Sequence, residues 1–279
     1  MPPTPAELRE RAAQADGLLA MLTDRIDADL IASCPDLRAI SNYAVGVDNV
    51  DVAAASARGI PVGNTPGVLT ESTADLAVAL ILATARRIVE GDALVRRDEW
   101  RTWEPWALLG RDLHGATVGI VGYGRIGQAV ARRLEGFGCQ IIHTREVALE
   151  QLLDRSDFVT LHVPLSDETR GLIGEQAFGR MKPTAYLVNT ARGPIVDTAA
   201  LGRALREGAI AGAALDVTDP EPLPGDHPLL EAPNLTVVPH VASATHATRE
   251  AMADIAVDNL LAALAGERMP HCANPEVYS

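Results

Sequence analysis

Short runs of apolar, largely branched residues recur along the chain, and between them apolar positions return at the three-to-four-residue spacing of an amphipathic helix. The alternation is clearest between about residues 116 and 240, where the runs 117–121, 140–143, 158–162, 185–189, 212–215 and 235–238 read as strands. Apolar runs this short, separated by helices, are the pattern of strands buried on both faces of a parallel sheet. This part of the chain therefore predicts a doubly wound α/β domain.

The first part repeats the same grammar more weakly. Strands are predicted over 18–22, 37–41 and 60–62, with a helix at Thr4-Pro5-Ala6-Glu7-Leu8 and others starting near Asp27 and Asp48. Residues 70–95, rich in Ala, Leu and Ile and free of Pro and Gly until Gly91, predict one long, largely buried helix. A second Ala-rich helix over 245–265 is closed by Gly266, a residue suited to the left-handed C-cap. If that helix returns to the first lobe, the lobe is discontinuous: 1–70 with 250–279 form one domain and 71–249 the other.

Composition narrows the function more than the fold. With 279 residues, 47% hydrophobic and 22% charged, the chain is long enough for two lobes, and no apolar run has membrane-spanning length. A net charge of −13 argues against nucleic acid or an anionic membrane as partner. The start, Met1-Pro2-Pro3-Thr4-Pro5, has neither a basic segment nor an apolar one, so a cytoplasmic location is expected. Cys34, Cys139 and Cys272 are odd in number and widely spaced, which predicts packing residues rather than disulfides or a metal site.

The most specific local pattern is Gly122-Tyr123-Gly124-Arg125-Ile126-Gly127, placed between an apolar strand and a helix over 128–135. In G-x-G-x-x-G the first glycine permits a tight turn, the second lets a pyrophosphate approach the backbone, and the third lets helix and strand pack closely. The helix N-terminus then faces the phosphates. A dinucleotide is expected here, in a Rossmann cofactor domain. An NAD site places an acidic residue about 20 positions on to accept from the ribose hydroxyls. This chain has Thr144 and Arg145 at the end of the next strand. A guanidinium favours a 2′-phosphate, so NADP(H) is favoured and NAD(H) possible, with Glu146 as the alternative acidic partner.

Arg192, Glu221 and His240 each stand in a Gly- or Pro-marked loop after an apolar run. A guanidinium, a carboxylate and an imidazole are the parts needed to hold an anionic substrate and move one proton. With a dinucleotide, they point to reversible reduction of a 2-oxo acid.

Over about residues 30–275 the chain resembles the D-isomer-specific 2-hydroxyacid dehydrogenases, most closely their glyoxylate/hydroxypyruvate reductase (D-glycerate dehydrogenase) branch. The resemblance rests on Gly59-Ile60-Pro61-Val62-Gly63-Asn64-Thr65-Pro66-Gly67, the glycine fingerprint, Met181-Lys182-Pro183, Asn189-Thr190-Ala191-Arg192-Gly193, Leu215-Asp216-Val217, Glu221-Pro222 and Pro239-His240. It implies a flavodoxin-like substrate domain beside the cofactor domain, and a homodimer. By the same resemblance Arg192 holds the substrate carboxylate and polarises the carbonyl, while His240 is the general acid in reduction and the base in oxidation. Glu221 hydrogen-bonds the other ring nitrogen, and the backbone amides of Val45 and Gly46 bind the substrate carboxylate. Thr73 and Asp216 fall on the nicotinamide side, Thr190 and Ala191 are further cofactor-binding positions, and Val163 and Pro164 line the adenosine.

Trp100, Trp103 and Trp106 are spaced by threes, and on helical periodicity alone they predict a core stripe; the resemblance instead implies a loop beside the dimer contact. The sequence also departs from the family in three places. The family's opening strand, helix and second strand have no counterpart before Thr4, so either the natural start lies upstream or the first lobe is reduced, with an exposed edge at Leu18. The chain is shortened after Arg145. Ala242 replaces a common glycine, which would be strained if that position needs positive φ. Alternative functions on the same residue set are phosphoglycerate, formate or phosphonate oxidation, a cofactor-sensing corepressor-like binding role, or an inactive fragment.

Overall fold

Three short parallel strands, β1 (Gly17–Ala20), β2 (Ala39–Asn42) and β3 (Val62–Gly63), lie side by side in chain order, with Gly17 opposite Ala39 and Ile40 opposite Val62. They belong to the first of two units in a computed structural model that describes residues 3–279. This unit comprises the described part of Met1–Leu69 together with Ala244–Ser279, and the second is Thr70–Ser243.

In the first unit, α1 (Pro5–Ala12), α2 (Ala28–Ser33) and α3 (Val52–Ala57) bury Ala12, Leu30, Ile31 and Ala55 with Ile40 and Val62 of the sheet. Each start is capped as its sequence suggests. Thr4 and Glu7 form a reciprocal capping box, and Asp27 accepts from the Leu30 N–H. The third helix starts at Val52 rather than near Asp48, because Val47 to Val50 form a turn and Asp51 takes the cap. The other side of the sheet packs on α10 (His246–Leu264), which is capped by Thr245 and followed by Gly266 at φ +83°. Strand β1 is an edge of the sheet, with Leu19 and Met21 exposed at it.

The second unit opens with α4 (Thr70–Ala85) and α5 (Ile88–Arg96). It continues as β4 (Thr117–Val121), α6 (Arg125–Glu135), β5 (Gln140–His143), α7 (Leu149–Arg155), β6 (Phe158–Leu161), α8 (Glu175–Arg180), β7 (Tyr186–Asn189), α9 (Thr198–Arg206), β8 (Gly212–Leu215) and β9 (Leu235–Val237). All six strands are parallel, in the order β5-β4-β6-β7-β8-β9. Side-chain alternation puts Val118, Ile120 and Phe158 under α4 and α6, and Val121, Val159 and Leu161 under α7, α8 and α9. Each fully buried side chain of this kind contributes about 1.5–3 kcal/mol.

Two further expectations are corrected here. The long helix over 70–95 is broken: Arg87 has φ +51°, and the Ala85 carbonyl accepts from the Arg111 N–H instead of continuing the helical ladder. Gly110 permits this approach, since a Cβ there would stand 2.1 Å from the Ala85 oxygen. The tryptophans form no core stripe. Trp100, Trp103 and Trp106 lie outside any helix, 64%, 78% and 81% exposed.

Candidate active site

Because the six strands are parallel, every loop after a strand emerges at one edge of the sheet, where open α/β sheets gather their ligands. The order in which strands are added reverses at β4: β5 flanks it on one side, and β6 and the later strands extend from the other. The glycine fingerprint sits at this switch point. Gly122 has φ +94°, and a Cβ on it would come within 2.7 Å of the His162 carbonyl and the Val163 N–H. A Cβ on Gly127 would stand 2.3 Å from the Gly122 oxygen, whereas one on Gly124 would meet nothing within 4 Å. The first and third glycines are thus fixed by close packing, and the second leaves open space at the N-terminus of α6.

Helix α6 begins at Arg125, earlier than residue 128, with Gly124 as its N-cap and Ile126 half-buried in the first turn. Thr144 accepts a hydrogen bond from the Gly122 N–H at 3.0 Å and so ties the fingerprint to the end of β5. Arg145 follows, exposed, while Glu146 turns back toward the His143 ring, 3.4 Å from Nε2. Val163 and Pro164 continue from β6, the first half-buried and the second exposed. Thr73 is buried in α4, and the buried Thr190 hydroxyl has no hydrogen-bond partner among the described residues. The Ala191 N–H is held by the Asn189 side chain at 3.0 Å.

Arg192, Glu221 and His240 come from the loops after β7, β8 and β9, three neighbouring strands. Glu221 Oε1 lies 2.6 Å from His240 Nδ1, and its other oxygen accepts from the Thr218 N–H at 3.2 Å. Burial alone would raise the Glu221 carboxyl. The His240 ring, the Thr218 N–H and the Arg192 charge outweigh it and hold the group below its ordinary value. An ionised Glu221 can only accept, so Nδ1 carries a proton and Nε2 is the nitrogen free to exchange one.

The backbone of His240 is left-handed, at φ +53°, a conformation that costs a residue with a side chain roughly 1–2 kcal/mol. Asp216 holds it there. Its carbonyl accepts from the His240 N–H at 2.9 Å, and its carboxylate accepts from the N–H groups of Val241 and Ala242 at 2.6 and 3.0 Å. Burial nevertheless raises the Asp216 carboxyl, more than these donors and the His240 charge lower it. Ala242 itself is not among the residues with positive φ, so its methyl is accommodated without backbone strain.

The sequence assigned no role to Gly193, yet the site depends on it. A Cβ on Gly193 would stand 1.9 Å from the Thr218 carbonyl oxygen and 2.8 Å from the Asp219 nitrogen. The loop bearing Arg192 and the loop bearing Glu221 therefore touch backbone to backbone. In the first unit, Val45 and Gly46 lie half-buried in the loop after β2.

This arrangement has close counterparts. Residues 78–242 match the family described as D-isomer specific 2-hydroxyacid dehydrogenase, NAD binding domain. A glyoxylate reductase of Korarchaeum cryptofilum is 52% identical over 99% of this chain and 88% of its own. The crystal structure of a protein from Thermus thermophilus superposes with a TM-score of 0.91 at 49% identity, covering 98% of this chain and 90% of that one. An NADPH-dependent glyoxylate/hydroxypyruvate reductase of Sinorhizobium meliloti, solved with NADP and malonate, gives a TM-score of 0.86 at 36% identity over 98% of this chain and 88% of its own. Together with a pyridine-nucleotide fingerprint at the switch point, these matches place the chain in the family of D-isomer-specific 2-hydroxyacid dehydrogenases.

Proposed function

We propose that the protein reduces glyoxylate, hydroxypyruvate or a closely similar small 2-oxo acid to the D-2-hydroxy acid. The observation that carries this reading is the 2.6 Å contact between Glu221 and His240, beside the Arg192 loop and at the sheet edge that holds the glycine fingerprint. The open space at Gly124, the N-terminus of α6 and the unpartnered Thr190 hydroxyl suit a nicotinamide dinucleotide. When bound, that group supplies and accepts the hydride.

The chain's own residues do the rest. Arg192 presents a planar fork to the substrate carboxylate and draws electron density from the carbonyl oxygen. His240 Nε2–H gives its proton to that oxygen as the carbonyl carbon is reduced, and in oxidation neutral Nε2 takes the hydroxyl proton back. Glu221 keeps the ring oriented through both states, and Asp216 keeps its backbone in the left-handed turn.

Arg145 supports NADP(H) over NAD(H). It is exposed at the end of β5, while the neighbouring carboxylate of Glu146 is directed to His143 rather than left for a ribose hydroxyl pair. The S. meliloti reductase, solved with NADP, is consistent with this choice. A homodimer is supported by the apolar surface of α5 and the segment after it, where Ile88, Val89, Val95, Trp100, Trp103 and Trp106 are all exposed.

The test is a panel of 2-oxo acids assayed with NADH and with NADPH by loss of nicotinamide absorbance. Turnover of glyoxylate or hydroxypyruvate, faster with NADPH, is expected. Purified, nucleotide-bound protein that turned over none of them would overturn the proposal.

A further inference from the structure

Three consecutive carbonyl groups in the loop after β2 are each held by a donor from elsewhere in the first unit. The Ala44 oxygen accepts from the Thr65 N–H at 2.9 Å, the Val45 oxygen from Asn64 Nδ2 at 2.8 Å, and the Gly46 oxygen from Asn42 Nδ2 at 2.8 Å. In a trans peptide the C=O and the following N–H point in opposite directions. Fixing these carbonyls therefore turns the N–H groups of Val45, Gly46 and Val47 away from Thr65, Asn64 and Asn42 in turn. None of the three N–H groups has a hydrogen-bond acceptor among the described residues. Backbone N–H groups left without an acceptor are donors an anion can take.

The asparagines are themselves anchored. Asn42 is fully buried and exchanges hydrogen bonds with Asn49, whose amide also donates to the Met21 and Asp24 carbonyls. Asn64 is held through its backbone: its carbonyl accepts from Asn259 Nδ2 at 3.0 Å, and its N–H donates to His271. Asn259 is fully buried on α10 and accepts from the His271 N–H at 2.9 Å. Its side chain lies so close to β3 that a Cβ on Gly63 would meet it at 2.9 Å.

We infer that Asn64 and Asn42 are positioning residues that aim the Gly46 and Val47 amides at the substrate carboxylate, with Asn259 fixing Asn64 from α10. The inference rests on the reading that the Val45 and Gly46 loop takes that carboxylate, and adds the side chains that orient it. No covalent step involves them. Their effect falls on substrate binding and leaves the nucleotide alone.

The experiment compares Asn64→Ala and Gly46→Pro with the wild type, measuring KM for glyoxylate, the inhibition constant of oxalate, KM for NADPH and the thermal midpoint. Asn64 is only half-buried, so Asn64→Ala is expected to fold. Loss of the hydrogen bond that fixes the Val45 carbonyl should raise the glyoxylate KM and the oxalate inhibition constant about tenfold each. KM for NADPH and the thermal midpoint should stay near wild type. Gly46→Pro removes the amide itself and should weaken oxalate at least as much. If Gly46→Pro weakens oxalate while Asn64→Ala binds like the wild type, the positioning role is overturned and the carboxylate-binding loop survives. If a folded Gly46→Pro binds oxalate normally, the loop reading falls and the inference with it. Equal losses for glyoxylate and NADPH in Asn64→Ala, with a lowered thermal midpoint, would show a general structural role and overturn the inference.

Discussion

Replacing Gly193 by alanine forces apart the two loops that carry Arg192 and Glu221. The added Cβ would stand 1.9 Å from the Thr218 oxygen and 2.1 Å from its carbonyl carbon, and both opposing atoms are backbone, so no side chain can swing away. A tolerable carbon-to-oxygen contact is about 3.3 Å, which requires the loops to separate by roughly 1.4 Å. Overpacking of this kind costs about 1–3 kcal/mol of stability. The larger consequence is catalytic. The Glu221 carboxylate reaches His240 from the displaced loop at 2.6 Å and cannot keep that contact if the loop moves as far as the packing requires. A misplacement of about 1 Å costs on the order of 10²-fold in rate. Steady-state kinetics with glyoxylate should therefore show kcat/KM reduced by about 10²-fold. NADPH affinity, measured by nucleotide fluorescence, should fall far less than kcat/KM, because the glycine fingerprint lies in the loop after β4, two strands from β7. A folded Gly193→Ala enzyme with kcat/KM within twofold of wild type would refute the reasoning.

Further expectations concern single groups. His240→Ala should lower kcat by about 10²–10⁴-fold while leaving the nucleotide dissociation constant nearly unchanged; equal losses in both would remove His240 as the acid. The lowered carboxyl of Glu221 adds stability that is present above the ordinary carboxylate value and disappears as pH falls through its folded value. Urea midpoints of wild type and Glu221→Gln should accordingly differ at neutral pH and converge in acid, and a gap that widens in acid would contradict the ionised pair. Arg145→Ala should raise the NADPH KM several-fold with little effect on NADH, and a wild type that prefers NADH would sink the phosphate-binding role.

The strand runs of the larger sheet were legible because a strand buried on both faces needs an uninterrupted apolar segment. Runs predicted at 117–121, 140–143 and 212–215 coincide with β4, β5 and β8, and the others differ by a residue at an end. Periodicity failed where a distant partner intervened. The helix after Thr70 breaks at Arg87 because the Gly110 and Arg111 backbone reaches the Ala85 carbonyl, a contact between distant segments that no local pattern encodes. The tryptophans satisfied a helical spacing but lie in an irregular exposed segment.

By itself the sequence determined the parts: a glycine loop between strand and helix, an arginine, a glutamate and a histidine after apolar runs, and a family pattern that assigns each of them work. These follow from local chemistry, since residue type and neighbouring periodicity are enough to specify them. The tertiary structure alone decided which parts act together. It brought Glu221 to His240, set Asp216 beneath the left-handed turn of His240, made Gly193 the contact between two loops, and tied Asn64 and Asn42 to the carbonyls of Val45 and Gly46. Those relations join residues far apart in the chain, and they exist only once parallel strands have carried their ends to one edge and the buried polar groups have found partners.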